Sequence, residues 1–264
     1  MPIRGVAKGK YRLREYLAFI GASMLEDKRS VLVGTGLPML AAMLAQKTHA
    51  PNLLIMFEAG GVGPLLPELP VSVGESTTYY RGVAASSMHE VMSMCQAGYA
   101  DYAFLGAAQV DMYGNINTTV IGPHDSPRVC LPGSGGANDG GSFAQRFITI
   151  IANQSRRSFV NRVDFLTTPG YLDGPGARER AGLASGSGPY RVITQLGIFD
   201  FEEETRKLRL ISLHPGVSTA EVKENSEFDI ITADNVGTSP EPAAQHLQIL
   251  REEIDPAGVV LGKK

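Results

Sequence analysis

Glu58 closes the apolar run "NLLIMFE" (Asn52 to Glu58) and opens directly into the glycine-rich turn "AGGVGP" (Ala59 to Pro64). A carboxylate at a strand end has two kinds of use. It can cap the strand as a solvated charge or ion pair, or it can serve as nucleophile, general base or metal ligand. The residues around it leave both open. Two further glycine-rich turns share the context: "GTGLP" (Gly34 to Pro38) after "SVLV", and "GSGGANDGG" (Gly133 to Gly141) after a β-like run from Arg128 to Leu131. Glycine in such turns lets backbone N–H groups approach a ligand and aim at an anion or a developing oxyanion. "GTGLP" lacks the full GxGxxG pattern and none of the three ends in GK[ST], so each alone is equally an ordinary tight turn.

Other reactive residue types are scattered. Gln109, at the edge of an apolar strand, is placed to reach a ligand, whereas Asp111, Gly114 and Asn115 read as a structural turn. His89-Glu90 has no second histidine at zinc-protease spacing, so no metal site is expected. The long loop "TTPGYLDGPGARERAGL" (Thr167 to Leu183) carries Arg178 and Arg180, read first as interface cations and second as anion ligands.

These residues need a scaffold, and the hydrophobic spacing supplies one. "YRLREYLAFIGASML" is helical in period. "SVLVGTGLP", "MLAAMLAQKTHA" and "NLLIMFE" then read as strand, turn, helix and strand, a βαβ unit. "SMHEVMSMCQAG" predicts a helix ended by Gly98, and "ADYAFLGAAQV", "FITIIAN" and "RVDFLTT" predict strands. "YRVITQLGIFDFEEETRKLRLISLH" reads as two antiparallel β segments around an acidic turn, and "AAQHLQILREEIDP" as a closing helix. The expected fold is a single open α/β domain over 1–264, its sheet mixed but largely parallel and flanked by helices.

Composition narrows the function. A net charge of −3 over 264 residues leaves no footprint for a nucleic acid, and 43% hydrophobic residues suffice for a substantial core. Cys95 and Cys130 are too few and too distant for a disulfide framework, which suits a reducing compartment. The N-terminus lacks the long apolar segment of a secretory signal and no window has the length of a membrane span, so a cytoplasmic location is expected.

In order along the chain, "VGTGLP", "EAG", "GAAQVDMYGNIN", "GSGGAN", "DFLTTPGYLDGPGARER" and "LREEIDP" resemble the β subunits of family I CoA-transferases, of the glutaconate type. The resemblance covers nearly the whole length. It implies that Glu58 is the nucleophile that forms an acyl anhydride and then a glutamyl-CoA thioester. It also implies that the backbone N–H groups of Gly135 and Gly136 form an oxyanion site. CoA would enter as acyl-CoA substrate, with no permanently bound cofactor. The family motif reads Glu-Ser-Gly where this chain has Glu58-Ala59-Gly60. Relatives on the scaffold include acyl-CoA hydrolases, some ring-opening, and decarboxylating lyases, which form the alternative reading. Nothing in the chain resembles a fused second half, so a separate α subunit is expected, in an assembly of more than one αβ pair.

Overall fold

The computed structural model describes residues 3–262; positions 1, 2, 263 and 264 of the expected 1–264 unit lie outside the described residues. Ten strands form one sheet: β1 (Ser30–Val33), β2 (Leu54–Met56), β3 (Gly61–Val62), β4 (Ala84–Ala85), β5 (Tyr102–Gly106), β6 (Arg146–Ile151), β7 (Gly188–Thr194), β8 (Gly197–Phe201), β9 (Leu208–Leu213) and β10 (Ile231–Thr238). Their order across the sheet is β10-β9-β8-β7-β6-β5-β1-β2-β3-β4. The block β7-β6-β5-β1-β2 is parallel throughout, and antiparallel pairs extend it at both sides.

The central strands β1, β2 and β5 are apolar and largely buried because helices cover both faces. Val31 and Val33 point to one face, where they meet Tyr16, Leu17 and Ile20 of α1 (Leu13–Ala22) and Met39 to Leu44 of α2 (Leu37–Lys47). Leu32, between them, points to the other face with Met56, Ala103 and Leu105, against Val91 and Cys95 of α3 (Met88–Gln96). A further helix, α4 (Ala137–Phe143), covers that same face. A third apolar cluster, around Phe199, Leu208 and Leu210, stabilises the antiparallel extension against Phe159 and Phe228.

Local signals explain the helix ends. Ser87 Oγ accepts from the Glu90 N–H at 3.2 Å, and a Glu90 carboxylate oxygen accepts from the Ser87 N–H at 2.7 Å, a capping box at the start of α3. That reciprocal pair is the use the fold makes of the His89-Glu90 stretch. Gly98, at φ +85°, ends the helix as its sequence predicts.

Two expectations need correcting, and two features add to the sequence reading. "RVDFLTT" is not a strand of the sheet: Thr167 and Thr168 donate their N–H groups to Ile116 O, and Asp164 N–H is taken by the Gln109 side chain at 3.0 Å. These partners hold the segment against the Gln109–Asn117 ribbon, through a single bridge between Thr168 and Ile116, rather than in the ten-stranded sheet. The stretch from Tyr190 to His214 contributes three strands rather than two, because Gly197, after the Thr194–Leu196 bend, begins a new one. β10 is an added strand whose alternately exposed pattern carries little hydrophobic signal. The closing helix starts as Ala244–Gln248 and continues as a π-helix, Ile249–Ile254.

Candidate active site

The strand order reverses around β1. From β1 the chain crosses through α2 to β2 on one side, and through α3 it returns to β5 on the other. Open α/β sheets bind ligands outside the carboxyl ends of strands at such a switch point. Here the ends of β1, β2 and β5 place Gly34, Thr35, Glu58 and Gly106 around one cavity of about 520 Å³, within the range of small-molecule sites. Leu32, Leu105, Val73 and Leu131 supply apolar wall.

Glu58 sits at the tip of a tight hairpin. β2 does not run on into a helix; it folds back antiparallel onto β3, with Phe57 N–H donating to Gly61 O at 2.8 Å and Gly60 N–H to Phe57 O at 3.0 Å. Gly60 adopts φ +124°, and a Cβ there would lie 1.9 Å from Ser86 O. Only glycine lets the chain between Ser76 and Ser86 close this tightly over the hairpin. Tyr79 Oη fastens that segment by donating to Ala59 O at 2.7 Å.

The loop before α4 meets the tip. Gly136 N–H donates to Glu58 Oε2 at 2.6 Å, a charge-assisted bond across 78 positions of sequence. A Cβ on Gly136 would stand 2.5 Å from that oxygen, so glycine is what admits the carboxylate. Gly135 is adjacent at φ +49°, and its N–H has no acceptor among the described residues. Thr118 pins the loop from below: Thr118 Oγ1 donates to Gly133 O and Gly133 N–H to Thr118 O, each at 2.8 Å. Asn138 Nδ2 adds a bond to Thr167 O at 3.0 Å.

Glu58, Gly135 and Gly136 therefore share one cavity, and Gln109 does not line it. The Gln109 side chain is buried. Its oxygen accepts from Asn117 Nδ2 at 2.7 Å and Asp164 N–H at 3.0 Å, and its amide donates to Asp164 Oδ2 at 3.3 Å. It stands instead on the wall of a neighbouring cleft. Asp111 and Asn115 form the structural turn read from their types, with Asn115 Nδ2 donating to Asp111 Oδ2 at 2.8 Å. Burial pushes the Asp111 carboxyl up to about 6.

Arg178 departs from both readings of its loop. It is 1% exposed and donates to Pro169 O, Gly170 O and Gly141 O at 2.8, 2.9 and 3.1 Å. It is an internal clasp joining the "TTPG" loop to α4, neither an interface cation nor an anion ligand; burial lowers its pKa from the usual guanidinium value. Arg180 remains at the surface, near Pro175 O. The site residues that sequence reading missed are Thr118, Asn138 and Tyr79, whose partners are Gly133, Thr167 and Ala59. No short-range pattern marks residues whose roles depend on such distant parts of the chain.

Among the described residues no cluster of three or more His, Cys, Asp or Glu side chains is placed to hold a metal, and no helix is long and apolar enough to cross a membrane. Residues 18–225 match the family described as Coenzyme A transferase. The chain is 35% identical over 252 residues to the β subunit of glutaconate CoA-transferase of Acidaminococcus fermentans, covering 93% of each. It is 37% identical over 242 residues to the β subunit of 3-oxoadipate CoA-transferase of Pseudomonas knackmussii, covering 91% of this chain and 92% of the relative. The crystal structure of the Acidaminococcus glutaconate enzyme superposes with a TM-score of 0.90 at 32% identity, covering 96% of this chain and 98% of the other. With a family match over most of its length and relatives aligned almost end to end, the chain belongs to the coenzyme A transferase family.

Proposed function

We propose that the chain, taken as one unit over 1–264, is the β subunit of a cytoplasmic αβ enzyme. It moves CoA between an acyl-CoA and a small carboxylic or dicarboxylic acid, through a thioester on Glu58. The observation that carries this reading is the Glu58 carboxylate at a hairpin tip, with one oxygen held by Gly136 N–H in a cavity at the switch point. The other oxygen has no donor among the described residues, so it keeps a lone pair for attack.

In the first step that oxygen attacks the thioester carbonyl. The C–S bond breaks, CoA leaves as thiolate, and Glu58 carries a mixed anhydride. The thiolate attacks the glutamyl carbon, expelling the donor acid as its carboxylate and leaving Glu58 as a thioester. The acceptor carboxylate then attacks the glutamyl thioester and displaces the thiolate, which takes the new acyl group from the second anhydride. Glu58 is regenerated, one thioester has replaced another, and ATP is not needed. Covalent catalysis suits this exchange because the carboxylate is a poor nucleophile facing an activated acyl group.

Thiolate attack on the glutamyl carbon builds negative charge on the carboxyl oxygen that Gly136 N–H already faces. A donor within about 3 Å of a developing oxyanion, in a site shielded from water, typically contributes a factor of about 10² to 10³. The Gly135 N–H is the donor left for the incoming acyl carbonyl. Val73, Leu131 and the segment over the hairpin protect the thioester from hydrolysis.

A separate α subunit completes the assembly, a reading supported by relatives that are themselves named as one subunit of a larger enzyme. Incubating the assembled enzyme with acyl-CoA and then borohydride should reduce the thioester and label Glu58. Release of free CoA thiol at full rate without any acceptor acid would instead establish the hydrolase reading.

A further inference from the structure

Between β3 and β4 the chain makes a strap, Val71 to Arg81, that returns over the Glu58 hairpin. Its root is fixed where Leu69 N–H donates to Ile254 O at 2.6 Å. The strap then closes on Glu75. Glu75 Oε2 accepts from Val71 N–H at 2.7 Å, and the Glu75 carbonyl oxygen accepts from Thr78 Oγ1 at 2.6 Å and Thr78 N–H at 3.0 Å. A 3₁₀ turn, Ser76–Tyr79, completes it. Its shape is therefore set by its own bonds before it touches the hairpin.

Gly61 admits the strap as Gly60 admits Ser86: a Cβ on Gly61 would lie 2.2 Å from Thr78 O. On the tip itself the contacts are few. Gly74 faces the Ala59 methyl, and Tyr79 Oη donates to Ala59 O at 2.7 Å. Among the described residues that is the only hydrogen bond between the strap and the tip, Glu58 to Gly60. It fixes the peptide plane one link beyond Glu58. Val73 is the strap residue that lines the Glu58 cavity, and it also packs against the apolar core that α1 and α2 share. One phenolic hydroxyl therefore joins the tip that carries the carboxylate to the segment that carries its cover.

We propose that Tyr79 is a positioning residue, that Val73 is the shield it sets in place, and that together they make the Glu58 thioester react with a carboxylate in preference to water. The inference rests on the CoA-transfer reading of the Glu58 cavity and names the residues that choose the acceptor there. In the competing reaction water adds to the glutamyl carbonyl carbon and the C–S bond breaks. CoA leaves as thiol with one proton of the water, the other proton is released, and the Glu58 carboxylate is restored. An acceptor acid is held by the site before it attacks, whereas water enters through any gap beside the carbonyl. Loosening the strap therefore speeds the water reaction more than the acid reaction. Loss of one neutral hydrogen bond shifts such a balance by about two- to tenfold.

Single-turnover measurements on the assembled αβ enzyme test it. Acetyl-CoA and glutaryl-CoA, in parallel and without acceptor, load Glu58; gel filtration removes small molecules, and borohydride at timed intervals reads the thioester that survives. Tyr79→Phe keeps the ring and deletes the bond, and should shorten the thioester lifetime in buffer about fivefold. Val73→Ala should shorten it about tenfold, and Val73→Leu, which keeps the cover, should stay within about twofold of the unsubstituted enzyme. Discharge by added acetate or glutarate should change less than about threefold in all three variants. Unchanged lifetimes in buffer for Tyr79→Phe and Val73→Ala would overturn the assignment. So would an equal change in the water and acid reactions, which would make the strap a purely structural element. Absence of label from Glu58 in the unsubstituted enzyme with both esters would refute the thioester reading itself, whereas label with unchanged lifetimes refutes the strap alone.

Discussion

Glu15 and Glu58 are the same side chain in opposite conditions. Glu15, 0% exposed on α1, accepts five hydrogen bonds: three from the backbone and guanidinium of Arg12 and two from Arg251 near the chain's end. Glu58 is half-buried and accepts one, from Gly136 N–H. Burial opposes the Glu15 charge, but the bonds from Arg251 and Arg12 outweigh it and hold the carboxyl down at about 2. A carboxylate saturated in this way has no free lone pair to attack with and serves to join α1 to the closing helix. One left with an open oxygen at a glycine-lined tip contributes little to the fold and is available for chemistry. Environment rather than residue type separates a structural acid from a reactive one.

The sharpest test of that contrast is Glu58→Gln. It should lower CoA transfer by at least about a thousandfold, in a direct assay on the assembled enzyme, while thermal unfolding shifts little. Substantial residual transfer would break the comparison. Gly136→Ala should come next. The added Cβ would press on Glu58 Oε2 at 2.5 Å and on Met92 Cε at 3.0 Å, displacing the single donor; kcat should fall about a hundredfold with a smaller change in KM.

Glu15→Gln should do the reverse, destabilising the fold by about 3–5 kcal/mol in denaturant titration because two arginines lose their carboxylate. If it costs activity but no stability, the assignment of roles is mistaken. The same contrast has a pH signature. A carboxyl depressed in the folded state contributes stability above its unfolded value, so the Glu15 contribution should be lost as pH falls from about 4.5 through about 2. His214 is also depressed, by burial, to about 4, with its ring between Tyr16, Ser239 and Thr194 O. It is neutral in the fold, so its share is present above about 6.5 and lost as pH falls from there through about 4. Thermal melts across pH should resolve the two windows, and Glu15→Gln should remove only the lower one.

Ala59→Ser should have the smallest effect, under about threefold in kcat. Ala59 does not line the Glu58 cavity, and its Cβ faces the Gly74 backbone instead. A hydroxyl there would lie outside the reaction space, which places it well below the shielded donor contributions that carry rate. A large gain in transfer would show that the hairpin tip rotates when substrate binds.

Much of the fold was legible because it rests on short-range periodicity. β1, α2 and β2 were readable since Val31 to Val33 are buried on both faces and α2 shows an apolar helical face interrupted by nothing but alanine. β10 was missed because its residues are alternately exposed and include Asp234 and Asn235. "RVDFLTT" misled because its apolar alternation is strand-like while its partners, Gln109 and Thr118, lie 55 and 49 positions away and outside the sheet. Gln109 was read from its place at a strand edge, but Asn117 and Asp164 claim it, and those partners lie 8 and 55 positions away.

Residue types and spacing were enough to specify the βαβ frame, the three glycine turns and the isolation of Glu58 at the end of an apolar run, since each depends on neighbours within a turn of helix or a pair of strands. The meeting of Glu58 with Gly136, the clasp of Arg178 on α4 and the bond from Tyr79 to Ala59 belong to the folded chain. Each joins segments separated by about 20 to 80 residues, whose distance is set by sheet order and loop path, and no local propensity encodes either.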